Sequence, residues 1–588
     1  ALLRFADKGM ETRLSGAKEE TMSSLENILP AQRLAGVRYP DAARLNAYLQ
    51  QGVLTQETLV DGLRQAFTDH ADRLALVGPD AQYTYRELDE RSDRLAAALL
   101  DLGLQPLDRA IFQCGNSHEL LVMFCACLKA GIIPVCSLQA FRKLEIEYLG
   151  NLAEARLHLV QGDDPKFDDV AFAEQMQQHV PSLAFVVQAR GTARGSAATI
   201  DQLIASMPLA AARTRLGRIA HHPFQVAVFQ LSGGTTGVPK IIPRFQAEYL
   251  YNMRAVAAWN RYTPDDVLFF PTPYMHNLNM GCFFGPFLLS GATVTVCRSL
   301  DDATLQGLVR TYRPTWFGVA GPILTRILPE LQRASPDEKA RRRFVTPRNA
   351  AGMRRTTGSP VFHIFGMTEG VIMFARDGDC ADVLEHSVGR PVSAHDEVRI
   401  VQIGTDVPVA EGEVGEALFK GPYTISGYYK SEAEDVHRFT PDGFYRSGDL
   451  MRRQVFGDAA YYFFCGRIKD VVDRGGEKIN AEEVENVLNG HPEILTSAVV
   501  AMPDPVYGER VCAFVIARNA ESPLTLPAVC RYLQDAGLAK FKWPERLEVV
   551  DEFPLSASGK LSKKALRSQI AALLQAESGH TQNGVDSQ

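Results

Sequence analysis

The run LSGGTTGVPK, Leu231 to Lys240, places three glycines, three hydroxyl side chains and a lysine within ten residues. Glycines let backbone N–H groups approach an anion closely, hydroxyls donate further hydrogen bonds, and lysine adds charge. The run therefore reads as a phosphate cradle, with Ser232, Gly233, Gly234, Thr235, Thr236, Gly237 and Lys240 as its candidate contacts. The spacing is not that of a Walker loop, because Val238 and Pro239 separate Gly237 from Lys240. The bland alternative is a glycine-rich turn closing the strand-like run VAVFQL.

Four further stretches carry groups suited to phosphate, ribose or cation chemistry: FGMTEG (365–370), YRSGDL (445–450), GRIKDVVDRGGEKINAEEVE (466–485) and PLSASGK (554–560). Taken singly, these are a helix-cap string, a Gly-Asp turn, short strands with polar turns and a solvated lysine. Taken together and in this order, the five stretches resemble the motif series of the adenylate-forming superfamily, which includes acyl-CoA synthetases, peptide-synthetase adenylation domains and luciferases. The resemblance runs from about residue 40 to 570.

That resemblance implies an ATP- and Mg²⁺-dependent ligase. A carboxylate attacks the α-phosphorus of ATP, pyrophosphate leaves, and a thiol then takes the acyl group. Two anions must be brought together, so positioned positive charge and hydrogen bonds must do the work. The resemblance assigns Gly366, Met367 and Thr368 to adenine and the α-phosphate, Glu369 to Mg²⁺, and Asp449 to the ribose hydroxyls. It assigns Arg467 to ribose or phosphate and Lys560 to the carboxylate and α-phosphate oxygens. Lys469 falls at the hinge of a small mobile domain, and Gly475 and Gly476 line a pantetheine passage.

The segment PTPYMHNLNMGCFFGP (271–286) resembles that of aryl-acid AMP ligases, which activate salicylate or 2,3-dihydroxybenzoate for siderophore assembly. By that resemblance Asn277 contacts the carboxylate and ortho-hydroxyl region, and His276 packs against the carboxylate or gates its entry. An amide can both donate and accept, which suits a hydroxyl–carboxylate pair. No base is needed, since the acid is already ionised at neutral pH. The resemblance places Cys282 where dihydroxybenzoate ligases have Ser and salicylate ligases have Cys, and a thiol is a poor partner for a ring 3-hydroxyl. Ile372 is bulky where a smaller residue would admit that group. Both favour salicylate. 2,3-Dihydroxybenzoate, a benzoate- or anthranilate-type acid for a CoA ligase, and a non-catalytic adenylate binder are the alternatives. No phosphopantetheine-attachment serine is visible, so the acceptor is expected in trans, as CoA or an aryl carrier protein.

The elements that must hold these residues alternate. Helix-like YTYRELDERSDRLAAALLDLGL, strand-like DRAIFQC, helix-like HELLVMFCACLKAG and strand-like IIPVCSL follow one another. Such alternation predicts an α/β fold with much parallel sheet. The texture changes near residue 450, and the chain is expected to end in a small α+β domain. Its divisions are read as a poorly ordered leader (1–38), a large adenylation domain (39–465), a small C-terminal domain (466–572) and a polar tail (573–588). Between 341 and 363, RRRFVTPRNAAGMRRTTGSPVFH shows no clear helical face.

At 588 residues the chain exceeds one ordinary core. A net charge of -7 gives no electrostatic case for nucleic acid or an anionic membrane. No apolar run approaches the roughly 20 residues of a membrane span. The ten cysteines show no Cys-x-x-Cys pair or zinc spacing, which fits a reducing cytoplasm.

Overall fold

The computed structural model describes residues 28–232, 239–319, 321–347, 349–519, 524–556 and 561–583. They fall into two compact units. One comprises Ala1–Gly378, Pro391–Glu397 and Phe419–Tyr445; the other comprises Asp379–Arg390, Val398–Leu418 and Arg446–Gln588.

The first unit holds two open sheets. In one, strands Ala198–Thr199, Phe185–Gln188, Leu157–Val160, Arg109–Gln113 and Ile133–Val135 lie beside β1 (Val226–Leu231) and β2 (Ile241–Phe245) in that order. All pairs are parallel except β1 with β2. Helix α1 (Gln246–Asn260) follows β2 directly. The other sheet sets Val267–Phe269 between Thr293–Thr295 and Trp316–Gly318, then β3 (Arg343–Thr346), β4 (Val361–Gly366) and β5 (Ile372–Phe374). The pairs from Thr293–Thr295 through β4 are parallel, and β5 turns back against β4. The alternation expected from sequence is thus present as an α/β fold.

Between β3 and β4 lies a helix, α2 (Ala350–Thr357), where sequence reading found no helical face. Its apolar stripe is short: Ala350, Met353 and Thr357 face inward at helical spacing. Asn349 takes a left-handed backbone (φ 55°) and its side chain accepts from Gly352 N at 3.0 Å. A Cβ on residue 352 would lie 2.4 Å from that amide oxygen, so residues 349–352 form a capping turn that favours its glycine.

Residues 28–38, assigned to the leader, also pack. Leu34 and Val37 rest on the core of the first sheet. Leu34 N donates to the Tyr39 hydroxyl at 2.8 Å, and that hydroxyl donates to Gln225 Oε1 at 2.6 Å.

In the second unit, β6 (Tyr445–Phe456) and β7 (Ala459–Arg467) close a sheet with Val414–Lys420 and Glu397–Val401. The boundary expected at 465/466 falls inside β7, and both of its sides belong to this unit. Next come β8 (Val471–Arg474), β9 (Glu477–Asn480), α3 (Ala481–Leu488), β10 (Ile494–Asp504) and β11 (Gly508–Ala517). Period-two alternation decides their packing. Val499, Val511, Ala513 and Val515 join Val484 and Leu488 of α3 in one cluster. Ala498, Val500, Cys512 and Phe514 face the other way, onto Leu566 and Ile570 of α4 (Lys563–Asn583). Helix α4 corrects the expected tail, since 573–583 is helical. Leu573 and Leu574 prolong the stripe of Leu566 and Ile570, and Arg546 holds Glu577 with two hydrogen bonds of 2.8 and 2.7 Å.

Candidate active site

In the first unit three of the predicted segments follow the carboxyl ends of parallel strands, the end of open α/β sheets where ligands bind. The phosphate run follows β1, the HN segment follows Val267–Phe269, and MTEG follows β4. Gly233, Gly234, Thr235, Thr236 and Gly237 lie outside the described residues, as does Lys560. The base of the phosphate run is closed on both sides: Ser232 N donates to Lys240 O at 2.9 Å, and Lys240 N donates to Ser232 Oγ at 3.0 Å. Lys240 Nζ lies 4.9 Å from the centre of the Tyr428 ring. Burial first, then the charge of Arg438, draw its pKa below the usual lysine value.

MTEG is the turn between β4 and β5. Gly366 pairs with Ile372, and Met367 N donates to Val371 O at 3.3 Å. Glu369 Oε1 accepts from the Tyr428 hydroxyl at 2.9 Å, and its carbonyl accepts from Ile425 N at 2.9 Å. Thr368 is buried, and Met367 packs with Ile242, Ile425 and Tyr428. Glu369 and Thr368 offer hard oxygens. Among the described residues no group of three or more His, Cys, Asp or Glu could hold a metal ion alone. This donor set therefore fits a cation that takes its remaining oxygens from a phosphate chain.

The HN segment is one helical turn, Asn277–Asn279, continued by a π-helical turn, Met280–Phe284. His276 caps it, its Nδ1 accepting from Leu278 N at 3.1 Å. Asn277 is buried, with Oδ1 accepting from Tyr249 Oη at 2.8 Å and from Arg244 Nη1 at 3.1 Å. Cys282 is buried, and burial pushes its thiol up to about 12. Ile372 is a buried strand residue whose N–H donates to Tyr423 Oη at 3.4 Å.

Sequence reasoning gave no role to Arg244, which joins these segments. It sits in β2 with its side chain fully buried. Nε and Nη2 each bond a Glu248 carboxylate oxygen at 2.9 Å, and Nη2 reaches Asn252 Oδ1 at 3.2 Å. Nη1 serves Asn277 Oδ1 and the Thr368 carbonyl, the latter at 3.4 Å. Glu248 also accepts from Phe245 N at 2.8 Å, so one carboxylate starts α1 and neutralises the arginine. The available signal was an arginine in an apolar strand with a glutamate four residues on.

The second unit carries the ribose and hinge residues. Asp449 in β6 faces Arg467 in β7, and Arg467 Nε donates to Asp449 Oδ1 at 3.0 Å. Gly448 is left-handed (φ 71°), and the ladder shifts register after the next pair, between Leu450 and Met451. The extra residue is Cys465 in β7, where two residues oppose one of β6. Ser447 Oγ steadies the turn, accepting from Asp449 N at 3.0 Å and donating to Ala417 O at 2.6 Å. Lys469 follows in a 3-10 turn, its pKa lowered by burial and by Arg467. Gly475 and Gly476 form the left-handed turn between β8 and β9, with φ of 60° and 99°. A Cβ on residue 475 would lie 3.1 Å from the Tyr507 ring.

Two family models match within the chain: "AMP-binding enzyme" at residues 63–429 and "AMP-binding enzyme C-terminal domain" at residues 483–560. The chain belongs to the AMP-binding, adenylate-forming enzymes. Among its relatives is the salicylyl-CoA synthase / salicylate adenylyltransferase of a Streptomyces species, 35% identical over 93% of this chain and 98% of the relative. The 2,3-dihydroxybenzoate-AMP ligase of Bacillus subtilis (strain 168) is 34% identical over 90% and 96%. The apo structure of MbtA from Mycobacterium smegmatis superposes with a TM-score of 0.68 at 32% identity, over 92% of this chain and 100% of MbtA. As an AMP-binding enzyme the chain binds ATP. No described helix of this enzyme is long and apolar enough to cross a membrane.

Proposed function

We propose that this enzyme activates salicylate as its adenylate, releasing pyrophosphate, and passes the acyl group to a pantetheine thiol. The observation that carries the reading is the shared guanidinium of Arg244. It fixes Asn277, in the segment that would read the acid, and the Thr368 carbonyl, in the turn that would read the α-phosphate. One rigid group thus sets the acid's seat against the phosphate's. The names of the relatives supply aryl acids as the substrate class, and both salicylate and 2,3-dihydroxybenzoate occur among them. Cys282 favours salicylate: its thiol stays protonated and is a weak partner for a ring 3-hydroxyl.

In this reading Glu369 and Thr368 hold Mg²⁺ and the α-phosphate, Lys240 faces the departing phosphates, and Asp449 takes the ribose diol with Arg467 beside it. His276 packs against the acid's carboxylate and Ile372 closes the ring pocket. Bound Mg²⁺ would neutralise phosphate charge during attack. Lys560 bridges the two anions, Lys469 turns the small domain, and Gly475 and Gly476 leave room for pantetheine. The acceptor is an aryl carrier protein or CoA.

ATP–pyrophosphate exchange tests this over salicylate, 2,3-dihydroxybenzoate, benzoate, anthranilate and a fatty acid. Salicylate is expected to give the highest kcat/KM. Exchange with none of them would favour a non-catalytic binder, and a preference for 2,3-dihydroxybenzoate would overturn the Cys282 argument.

A further inference from the structure

We infer that Arg244 and Tyr249 lock the Asn277 amide in one orientation, making Asn277 a donor only, so that the enzyme selects benzoates whose ortho atom accepts a hydrogen bond. A guanidinium carries donors and no acceptor, so the amide group facing Arg244 Nη1 at 3.1 Å has to be the oxygen. Tyr249 Oη donates to the same oxygen at 2.8 Å. Both lone pairs of Oδ1 are then occupied, and only the Nδ2 hydrogens are left for a ligand. Nδ2 has no hydrogen-bond partner among the described residues, and it is absent from the buried unsatisfied atoms.

Arg244 cannot swing away to release the amide. It is fully buried, gripped at both ends of its fork by Glu248, and its guanidinium stacks 4.3 Å from the centre of the Tyr249 ring. Asn252 completes the clamp, accepting from Arg244 Nη2 and donating through Nδ2 to Gly281 O at 3.0 Å. This corrects the sequence argument, which valued Asn277 for doing both jobs.

The consequence is chemical. In salicylate the phenol hydrogen can bond the acid's own carboxylate, leaving the phenol oxygen free to accept from Nδ2. In anthranilate the ortho amine presents N–H groups towards N–H groups. The inference rests on Asn277 meeting the ortho side of an aryl acid, as proposed above. Arg244 is a positioning residue here, since it acts through Asn277.

Pyrophosphate exchange with benzoate, salicylate and anthranilate tests it in wild type, Asn277→Asp and Arg244→Lys. Wild type is expected to prefer salicylate to anthranilate by at least about tenfold in kcat/KM, with benzoate between them. Asn277→Asp keeps an oxygen for Arg244 and Tyr249 and puts an acceptor where Nδ2 stood. Its added charge acts on all three acids alike, so the salicylate:anthranilate ratio should fall by about tenfold or more. Arg244→Lys frees the amide and should move the ratio the same way, with benzoate changing least. If Arg244→Lys does not fold, Tyr249→Phe replaces it, removing one of the two donors and giving a smaller shift in the same direction. Equal use of ortho donors and acceptors by wild type, or variants that lower all three acids with unchanged ratios, would overturn the inference. Failure of every benzoate to support exchange would instead sink the proposed substrate class.

Discussion

Tyr428 donates its hydroxyl to Glu369 Oε1 at 2.9 Å across 59 residues of sequence, while its ring lies 4.9 Å from Lys240 Nζ. The Tyr428 hydroxyl is also 2.9 Å from that of Tyr445, and burial first, then Glu369, hold it far above the usual tyrosine range. It therefore stays protonated and acts as a fixed donor. One oxygen of Glu369 is thereby pinned, and in the proposed reading the other meets the cation.

Tyr428→Phe keeps the ring under Lys240 and removes only that pin. The Mg²⁺ concentration giving half-maximal exchange is expected to rise about three- to tenfold. Mn²⁺ binding to the enzyme with a non-hydrolysable ATP analogue, followed by electron paramagnetic resonance, should weaken by a similar factor. Unchanged Mn²⁺ affinity would remove Glu369 from the metal site.

Lys560 is assigned from PLSASGK alone. Lys560→Ala is expected to lower exchange by about two to three orders of magnitude, the scale of losing one charge-stabilising group. Thiolation of a supplied acyl-adenylate should change by less than about threefold. If both half-reactions fell equally, the small domain would not alternate between them.

Asp449 and Arg467 separate function from stability. Asp449 is 6% exposed in its side chain and Arg467 is 48% exposed, so the ion pair between them is screened. Arg467→Ala should cost less than about 1 kcal/mol of stability. Asp449→Asn keeps the shape but loses one acceptor oxygen, and KM for ATP is expected to rise at least about tenfold with little change for the acid. A shift in the acid's KM instead would place Asp449 elsewhere.

The family was legible in the motif series because chemistry constrains its spacing. Glu369, Asn277 and the base of the Lys240 loop stand at strand ends or turns, and Asp449 stands within β6 just after the left-handed Gly448. Arg244 was not, because its meaning lies in partners 4, 8, 33 and 124 residues away. Helix α2 was hidden for another reason. Eight residues give a stripe of only three inward positions, and its start depends on Asn349 adopting a left-handed backbone. The helix at 573–583 was masked by polar composition, although Leu573 and Leu574 continue the register of Ile570.

Buried histidines give the fold an acid-side weakness. His158 is fully buried, its Nε2 is 2.9 Å from Gln113 Oε1, and burial pulls its pKa down to about 3. Burial lowers His118 and His221 to about 4. Unfolded histidine titrates near 6.5. Between that value and the folded pKa, the unfolded chain binds protons that the folded chain refuses. Stability is therefore flat with respect to these groups above about pH 6.5 and falls as pH drops towards 4 and then 3. His158 alone should cost about 2 kcal/mol between pH 6.5 and 5, from roughly 1.4 kcal/mol per pH unit. His158→Gln retains a donor for Gln113 and cannot charge. Urea unfolding at pH 7 and pH 5 should show the variant losing about 2 kcal/mol less than wild type over that interval. Carboxylates titrating in the same range cancel in the difference, so an equal loss in both proteins would mean that His158 is not the neutral, buried group described above.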